Sequence, residues 1–345
     1  MKLIHCADVH LGSTLSTLPK ELAEERKADV KNSFSRMVNY ARQNGISVIL
    51  LSGDVFDREK PLKKELNFFN AVIAGASDID FLYLRGNHDA ISIGEDHPNL
   101  KFFSDEWQSY TYGDVTVSGI EIAPENAESY HSTLSLNKDR KNIVMLHGQI
   151  GTNINLTRLR DKNIDYLALG HVHKYTEGEL DSRGTYVYCG CLEGRGFDET
   201  GEKGFVVLDT DGIGIYHEFH PFSHRIIEES TVDVSGLSDT YNVAKRVNDT
   251  VNPAKNGIYR IILTGEVDAD TGNLATELKN FLAPYCAHLS VKDETRKRIN
   301  YENYRNDLSL KGEFVRAVQA SNRSEEEKTQ IITYGLKALM GEKPE

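Results

Sequence analysis

No run of about twenty apolar residues occurs anywhere in the 345-residue sequence, which excludes a membrane-spanning helix. The apolar stretch in residues 1–8 is too short for a secretory signal, so the chain is expected to be soluble and cytoplasmic. Cysteine is scarce. Cys6, Cys189, Cys191 and Cys286 are unevenly spaced, and a chain this long can bury a core without staples, so no disulfide framework is expected. Cys189 and Cys191 form a C-x-C pair, but no second pair stands nearby to complete a metal site. Positive charge is also in deficit: 40 Lys and Arg face 52 Asp and Glu, for a formal net charge of -12. That balance is awkward for a protein that grips phosphates through Lys and Arg. Such a protein would need local clusters of cations, divalent metals that reverse the sign of its site, or a partner that supplies the grip.

What the chain does have is one design used five times: a short apolar run, a small residue, then polar residues able to bind metal. Residues 3–7 precede Asp8 and His10, residues 48–51 precede Gly53 and Asp54, and residues 81–84 precede Gly86, Asn87, His88 and Asp89. Residues 143–146 precede His147 and Gly148, and residues 166–169 precede Gly170, His171, Val172 and His173. Runs of this length between turn signals read as strands buried on both faces. Between the early strands, Val30, Phe34, Met37, Val38 and Ala41 recur at helical spacing before Gly45. Leu62, Leu66, Phe69 and Ile73 do the same between Pro61 and Gly75. The alternation predicts an α/β core, whose ligands gather beyond the carboxyl ends of its strands, where the five polar groups fall.

Further strands over 118–122, 186–188, 205–208 and 213–219 carry a catalytic domain over residues 1–223. A second domain, 224–300, reads as β-α-β-α-β, with strands at 232–234, 259–263 and 288–292 and helices at 241–251 and 274–282. Residues 301–345 read as a linker and a helix pair. Phe314, Val315 and Val318 mark one helix, and Ser324-Glu325-Glu326-Glu327 is a capping box for the next. Ile331, Ile332, Gly335, Leu336 and Leu339 line one face of that second helix. Two short helices bury little apolar surface alone, so this face is expected to dock on a partner or fold back onto the preceding domain.

Phosphate-ester hydrolysis at neutral pH needs a strong nucleophile, neutralised phosphoryl charge and a proton for the leaving oxygen. Two divalent ions about 3.5–4 Å apart supply the first two, held by mixed carboxylate, imidazole and amide ligands with one carboxylate shared. Asp8, His10, Asp54, Asn87, His147, His171 and His173 offer that set, in order, at five strand ends. Singly each motif is weak, since a histidine after an apolar strand is commonly a satisfied core residue. Together they point to a two-metal site. Oxygen and imidazole donors without thiolate suit Mn²⁺, or alternatively Fe²⁺, better than structural Zn²⁺.

In this order D-x-H, G-D-x-x-D, G-N-H-D, H-G and G-H-x-H resemble the calcineurin-like metallophosphoesterase superfamily. The resemblance implies a β-sandwich flanked by helices. It places Asp8, His10 and His173 on a first metal, Asn87, His147 and His171 on a second, and Asp54 between them. It also implies that His88 protonates the leaving group or steadies the attacked phosphate. Within Gly53-Asp54-Val55-Phe56-Asp57-Arg58, Asp57 would orient that histidine and Arg58 would contact phosphate.

Residues 7–12, 52–57, 188–199 and 310–316 are similar to bacterial DNA repair exonucleases of the SbcD/YhaO type, and the β-α-β-α-β unit resembles their capping domain. That branch implies Mn²⁺-dependent cleavage of DNA phosphodiesters together with an SbcC-like coiled-coil ATPase; a homodimer is also open. Arg158, Arg160, Lys162 and Arg195, with the run Arg296-Lys297-Arg298, are the candidate DNA contacts. Asp57 stands where archaeal and eukaryotic relatives place His, and the short C-terminus leaves only the helix pair, from about Gly312 to Met340, for a partner. A small-molecule phosphodiesterase or phosphoprotein phosphatase would also explain the acidic charge, though not the second domain and tail. A non-catalytic scaffold would have no call on seven intact ligands and His88.

Overall fold

Apolar runs with no polar alternation need cover on both faces, and the fold provides it in four layers. The computed structural model describes residues 1–13, 18–89, 96–237, 239–268, 273–298 and 301–339. They fall into two compact units, Met1–Ile226 and Ile227–Glu345.

The first unit opens with β1 (Lys2–Cys6), α1 (Lys20–Gln43), β2 (Val48–Ser52), α2 (Lys63–Ala74), β3 (Asp80–Leu84) and β4 (Leu100–Phe102). It continues through β5 (Gln108–Tyr112), β6 (Val115–Gly119), α3 (Tyr130–Thr133), β7 (Lys141–His147), α4 (Leu156–Leu159) and β8 (Tyr166–Gly170). It closes with β9 (Thr176–Glu179), β10 (Thr185–Tyr188), β11 (Gly204–Asp209) and β12 (Tyr216–Pro221). One sheet has the order β12-β11-β1-β2-β3-β4 and the other β5-β6-β7-β8-β10-β9. β1 to β4 run parallel to one another, as do β6, β7, β8 and β10.

Successive side chains along a strand face opposite layers. Leu3, Leu50, Leu82 and Val206 of the first sheet therefore meet Val117, Ile143, Met145 and Ala168 of the second between the sheets. On the outer face of the first sheet, Ile4, Ile49, Leu51 and Phe81 pack with Phe34 and Met37 of α1 and Phe69 of α2. Outside the second, Val144, Leu146, Leu167 and Leu169 pack with Tyr130 of α3 and Leu159 of α4. The expected α/β sandwich flanked by helices is the architecture found. Strands β5 and β9 escaped the sequence reading because Gln-Ser-Tyr-Thr-Tyr and Thr-Glu-Gly-Glu contain no apolar run. They exist through pairing with β6 and β10 at the sheet edges.

The second unit comprises β13 (Ile227–Asp233), α5 (Thr240–Val251), β14 (Ile258–Thr264), β15 (Glu266–Asp268), α6 (Leu274–Leu282), β16 (His288–Asp293) and β17 (Arg296–Arg298). It ends in α7 (Tyr301–Tyr304), α8 (Leu310–Gln319) and α9 (Glu325–Leu339). β13, β14 and β16 form a parallel sheet, and Val243 and Val247 of α5 with Leu274 and Leu278 of α6 close its core. The last three helices make a small core of their own, with Val315, Ile332 and Leu336 fully buried beside Tyr304. Gly335 permits the approach: a Cβ there would lie 2.1 Å from Phe314 Cζ. Cover for the face of α9, expected from a partner or from the preceding domain, comes from α7 and α8. Ile332 and Leu336 are covered within the chain, Leu339 remains 40% exposed, and Met340 lies outside the described residues.

Helix α1 also buries a charge. Arg26 is fully enclosed and donates to Asp29 at 3.1 Å and to Glu193 at 2.8 Å. Glu193 is equally buried and accepts from Ser33 Oγ at 2.6 Å. The loop after β10 is thus fastened to α1 by an ion pair without solvent. Removing one partner of such a pair strands the other charge and costs about 3–5 kcal/mol. Glu193→Ala is predicted to lower the unfolding free energy in urea by that amount. Glu25→Ala, which breaks the more exposed pair with Arg225, should change it little.

Candidate metal centre

Asp8 and His10 follow β1, Asp54 follows β2, Asn87 and His88 follow β3, His147 closes β7, and His171 and His173 follow β8. Because these strands are parallel within facing sheets, their carboxyl ends meet along one edge. Backbone bonds zip the first two loops together: Asp8 N–H donates to Gly53 O at 2.9 Å, His10 to Asp54 O at 3.0 Å, and Leu11 to Val55 O at 2.8 Å. Asp8, His10, Asp54 and His171 have φ of 52°, 51°, 52° and 101°. Left-handed backbone is strained for residues with a Cβ and collects at functional sites. Gly86 leaves room for the shared carboxylate, since a Cβ there would stand 2.2 Å from Asp54 Oδ1.

All seven ligand candidates converge. Donor atoms of Asp8, His10 and His173 lie within 4.8 Å of one another, as do those of Asp54, His147 and His171. Asn87 Oδ1 joins the second set, 3.1 Å from His147 Nε2 and 3.3 Å from His171 Nδ1. Asp54 Oδ2 stands between the sets, 3.4 Å from His147 Nε2 and 4.0 Å from His10 Nε2. Its Oδ1 accepts the His88 backbone N–H at 2.9 Å, and both oxygens of Asp8 accept from His171 N, at 3.1 and 2.9 Å.

The rings are turned from behind. His147 Nδ1–H donates to Ser52 O at 2.9 Å and His173 Nδ1–H to Glu199 Oε1 at 2.6 Å, which leaves each Nε2 facing inward. His10 Nδ1 lies 3.4 Å from Asp57 Oδ1, and its Nε2 faces that of His173 at 3.2 Å. These two nitrogens and the carboxylates of Asp8 and Asp54 surround a position where a cation could replace the protons, so the residues present fit a metal pair.

Charge in the site follows. Burial opposes protonation of His147 and His173, but Asp54 on one and Asp8 with Glu199 on the other raise both to about 9. Burial likewise opposes ionisation of Asp54, yet His147 holds it down at about 2. Burial lowers His10 and His171. Burial pushes Asp89 up to about 6, against backbone N–H bonds from Gly86 at 2.9 Å and Phe56 at 2.8 Å that tie two ligand loops together.

Other candidates fall elsewhere than expected. Asp57 does not reach His88. Its N–H bonds Leu11 O at 3.1 Å, and the zipped loops bring its carboxylate beside His10, where Arg195 Nη1 also donates to it at 3.1 Å. Arg58 donates to Gly12 O at 3.1 Å. Arg195, read as a DNA contact, points into the site and chelates Glu199 at 2.7 and 2.9 Å. Glu199 was missed; its only signal was its place four residues after that arginine. Arg158 sits 3.1 Å from His131, and Arg160 donates to Leu180 O. Arg160 and Lys162 precede β8, at the end of the strand opposite the donors His171 and His173. Arg296 and Lys297 lie on β17 of the second unit. Beside the second donor set a cavity of about 260 Å³ opens between Asn87, His147, His171, Arg85, Glu121 and Asn153.

The profile of the calcineurin-like phosphoesterase family matches residues 1–175. The chain is a calcineurin-like phosphoesterase. The matched span contains every ligand candidate, and the two donor sets suit the pair of divalent metals that this family binds. This phosphoesterase is 25% identical over 351 residues to an uncharacterized metallophosphoesterase, YhaO, of Bacillus subtilis, covering 88% of this chain and 84% of the relative. It is 26% identical over 327 residues to the DNA double-strand break repair protein Mre11 of Sulfurisphaera tokodaii, covering 86% and 82%. A solved dimetal phosphatase from Danio rerio covers 65% of this chain and 99% of its own, at 12% identity and a TM-score of 0.42.

The raised histidines give the phosphoesterase a pH signature. Their protonated forms stabilise the metal-free fold below about pH 6.5, and that contribution is lost as pH rises through about 9. A metal must displace those same protons. The gain in melting temperature on adding Mn²⁺ should therefore widen steadily from about pH 6.5 to about pH 8.5 by scanning fluorimetry. A flat or shrinking gain would contradict the assignment of His147 and His173 as ligands.

Proposed function

We propose that this phosphoesterase is a nuclease that cleaves DNA phosphodiesters in repair, using two Mn²⁺ ions. The observation that carries the proposal is the open side of the centre. Asn87, His88 and His171 are exposed while Asp8, His10, Asp54 and His147 are buried. A polymer can lie across such a rim, and the adjoining cavity has room for about one nucleotide rather than a duplex. Similarity over most of the chain to a DNA double-strand break repair protein supports the same substrate. The oxygen and imidazole donors support Mn²⁺ over a thiolate-preferring metal.

Bound ions would neutralise charge on the phosphodiester and activate the attacking water. Asp8, His10 and His173 would hold one, Asn87, His147 and His171 the other, and Asp54 both. The His88 backbone steadies Asp54 while its ring, 5.4 Å centroid to centroid from His10, makes no hydrogen bond among the described residues. That ring is available to give a proton to the leaving oxygen. The resemblance of the chain to bacterial exonucleases extends the proposal to the cytoplasm, to an SbcC-like ATPase and to a homodimer. With Ile332 and Leu336 already buried, such a partner would meet the exposed Leu308, Leu310 and Tyr334.

The test is cleavage of duplex DNA by the purified chain with Mn²⁺, set against hydrolysis of a nitrophenyl phosphodiester. DNA cleavage abolished by EDTA is expected, and His88→Ala should lower turnover about 10²–10⁴-fold with metal content unchanged. Hydrolysis of the small diester with DNA left intact would replace the nuclease reading by a small-molecule phosphodiesterase.

A further inference from the structure

Behind the first donor set lies a ring of side chains, two of which, Arg195 and Glu199, belong to no ligand motif. Arg195 donates from Nη1 to Asp57 Oδ1 at 3.1 Å, and from Nε and Nη2 to Glu199 Oε1 at 2.9 and 2.7 Å. Asp57 Oδ1 stands 3.4 Å from His10 Nδ1, and Glu199 Oε1 takes the proton of His173 Nδ1 at 2.6 Å. Since that proton goes to the carboxylate, the 3.1 Å approach of Arg195 Nη2 to His173 Nδ1 is a contact and not a second hydrogen bond. His10 and His173 then close the ring through their inward Nε2 atoms, 3.2 Å apart. The backbone holds the parts in place: Arg195 N–H donates to Glu199 Oε2 at 2.8 Å, and Lys203 Nζ to His173 O at 2.9 Å. The Arg195 side chain is 23% exposed and the Glu199 side chain 6%, so neither is a solvated surface group.

The two halves of the centre are backed differently. His147, in the second set, leans on a neutral backbone carbonyl, Ser52 O. In the first set His173 bonds the Glu199 carboxylate, His10 Nδ1 faces the Asp57 carboxylate in a looser 3.4 Å contact, and one guanidinium joins both carboxylates. His173, Cys191 and Glu199 bring donor atoms within 4.8 Å of one another, a grouping able to hold a cation. The guanidinium stands against two of the three. A planar fork can bind two carboxylates at once, which a single ammonium cannot do with the same geometry.

We infer that Arg195 is the positioning residue of the first metal half: it bridges Asp57 and Glu199, and through them sets the rotation and tautomer of His10 and His173. It contacts neither metal nor DNA. Supporting groups of this kind are worth about 10–100-fold in metal affinity, and here the effect belongs to one ion of the two.

The inference rests on the two-ion reading of the centre, and calorimetric titration of Mn²⁺ into the metal-free full-length chain tests both separately. The unaltered chain should take up two ions; uptake of fewer would fail the two-ion reading itself. Arg195→Ala should keep one ion at its original affinity and bind the other about 10–100-fold more weakly. Arg195→Lys should not restore it, because the charge returns without the fork. Binding of a short DNA hairpin, followed by fluorescence anisotropy without metal, should be unchanged. Two ions at unaltered affinity with weakened hairpin binding would make Arg195 a DNA contact. Full rescue by lysine would reduce its role to charge. Equal loss of both ions with a lowered melting temperature would make it a structural prop. Each of these three results overturns the inference.

Discussion

The carboxylate of Asp54 lies between two groups of atoms able to hold metal, and much of the surrounding structure serves to keep it ionised and still. Its Oδ1 is held by the His88 backbone, its Oδ2 faces His147 and His10, and Gly86 is small so that it fits. The left-handed backbone at Asp8, His10, Asp54 and His171 is the conformational cost of turning four side chains toward one point. Four packed layers over-determine the strand ends from which those turns depart, which is how such strain persists.

The excess of acid over base is consistent with this chemistry. In the centre, Asp8 and Asp54 are met by imidazoles, and Asp57 and Glu199 by the Arg195 guanidinium. The remaining deficit of positive charge is what divalent ions would fill, so that anionic substrate meets a site whose sign has been reversed. An acidic chain can handle a phosphodiester in this way without a broad basic surface.

The convergence of the seven candidate donors was legible in the sequence because each is fixed by its immediate neighbours: an apolar strand, a turn, a donor. The sheets were legible where strands are apolar throughout and lost where, as in β5 and β9, pairing alone makes the strand. The support of the ligands was not legible. Asp57 was assigned to His88 by motif, but whether its carboxylate meets His88 or His10 depends on how the loop after β2 zips against the loop after β1. Arg195 and Asp57 come from loops far apart in the chain, and no local pattern announces their meeting. The same holds for α9, whose apolar face looked open because Tyr304, on a separate short helix, is part of what covers it.

The most direct test of the account is diffraction from crystals grown with Mn²⁺, with anomalous data collected at the manganese edge. The account predicts two anomalous peaks about 3.5–4 Å apart, one beside Asp8, His10 and His173, the other beside Asn87, His147 and His171, with Asp54 bound to both. A single peak, or two peaks with Asp54 bound to only one of them, would contradict it.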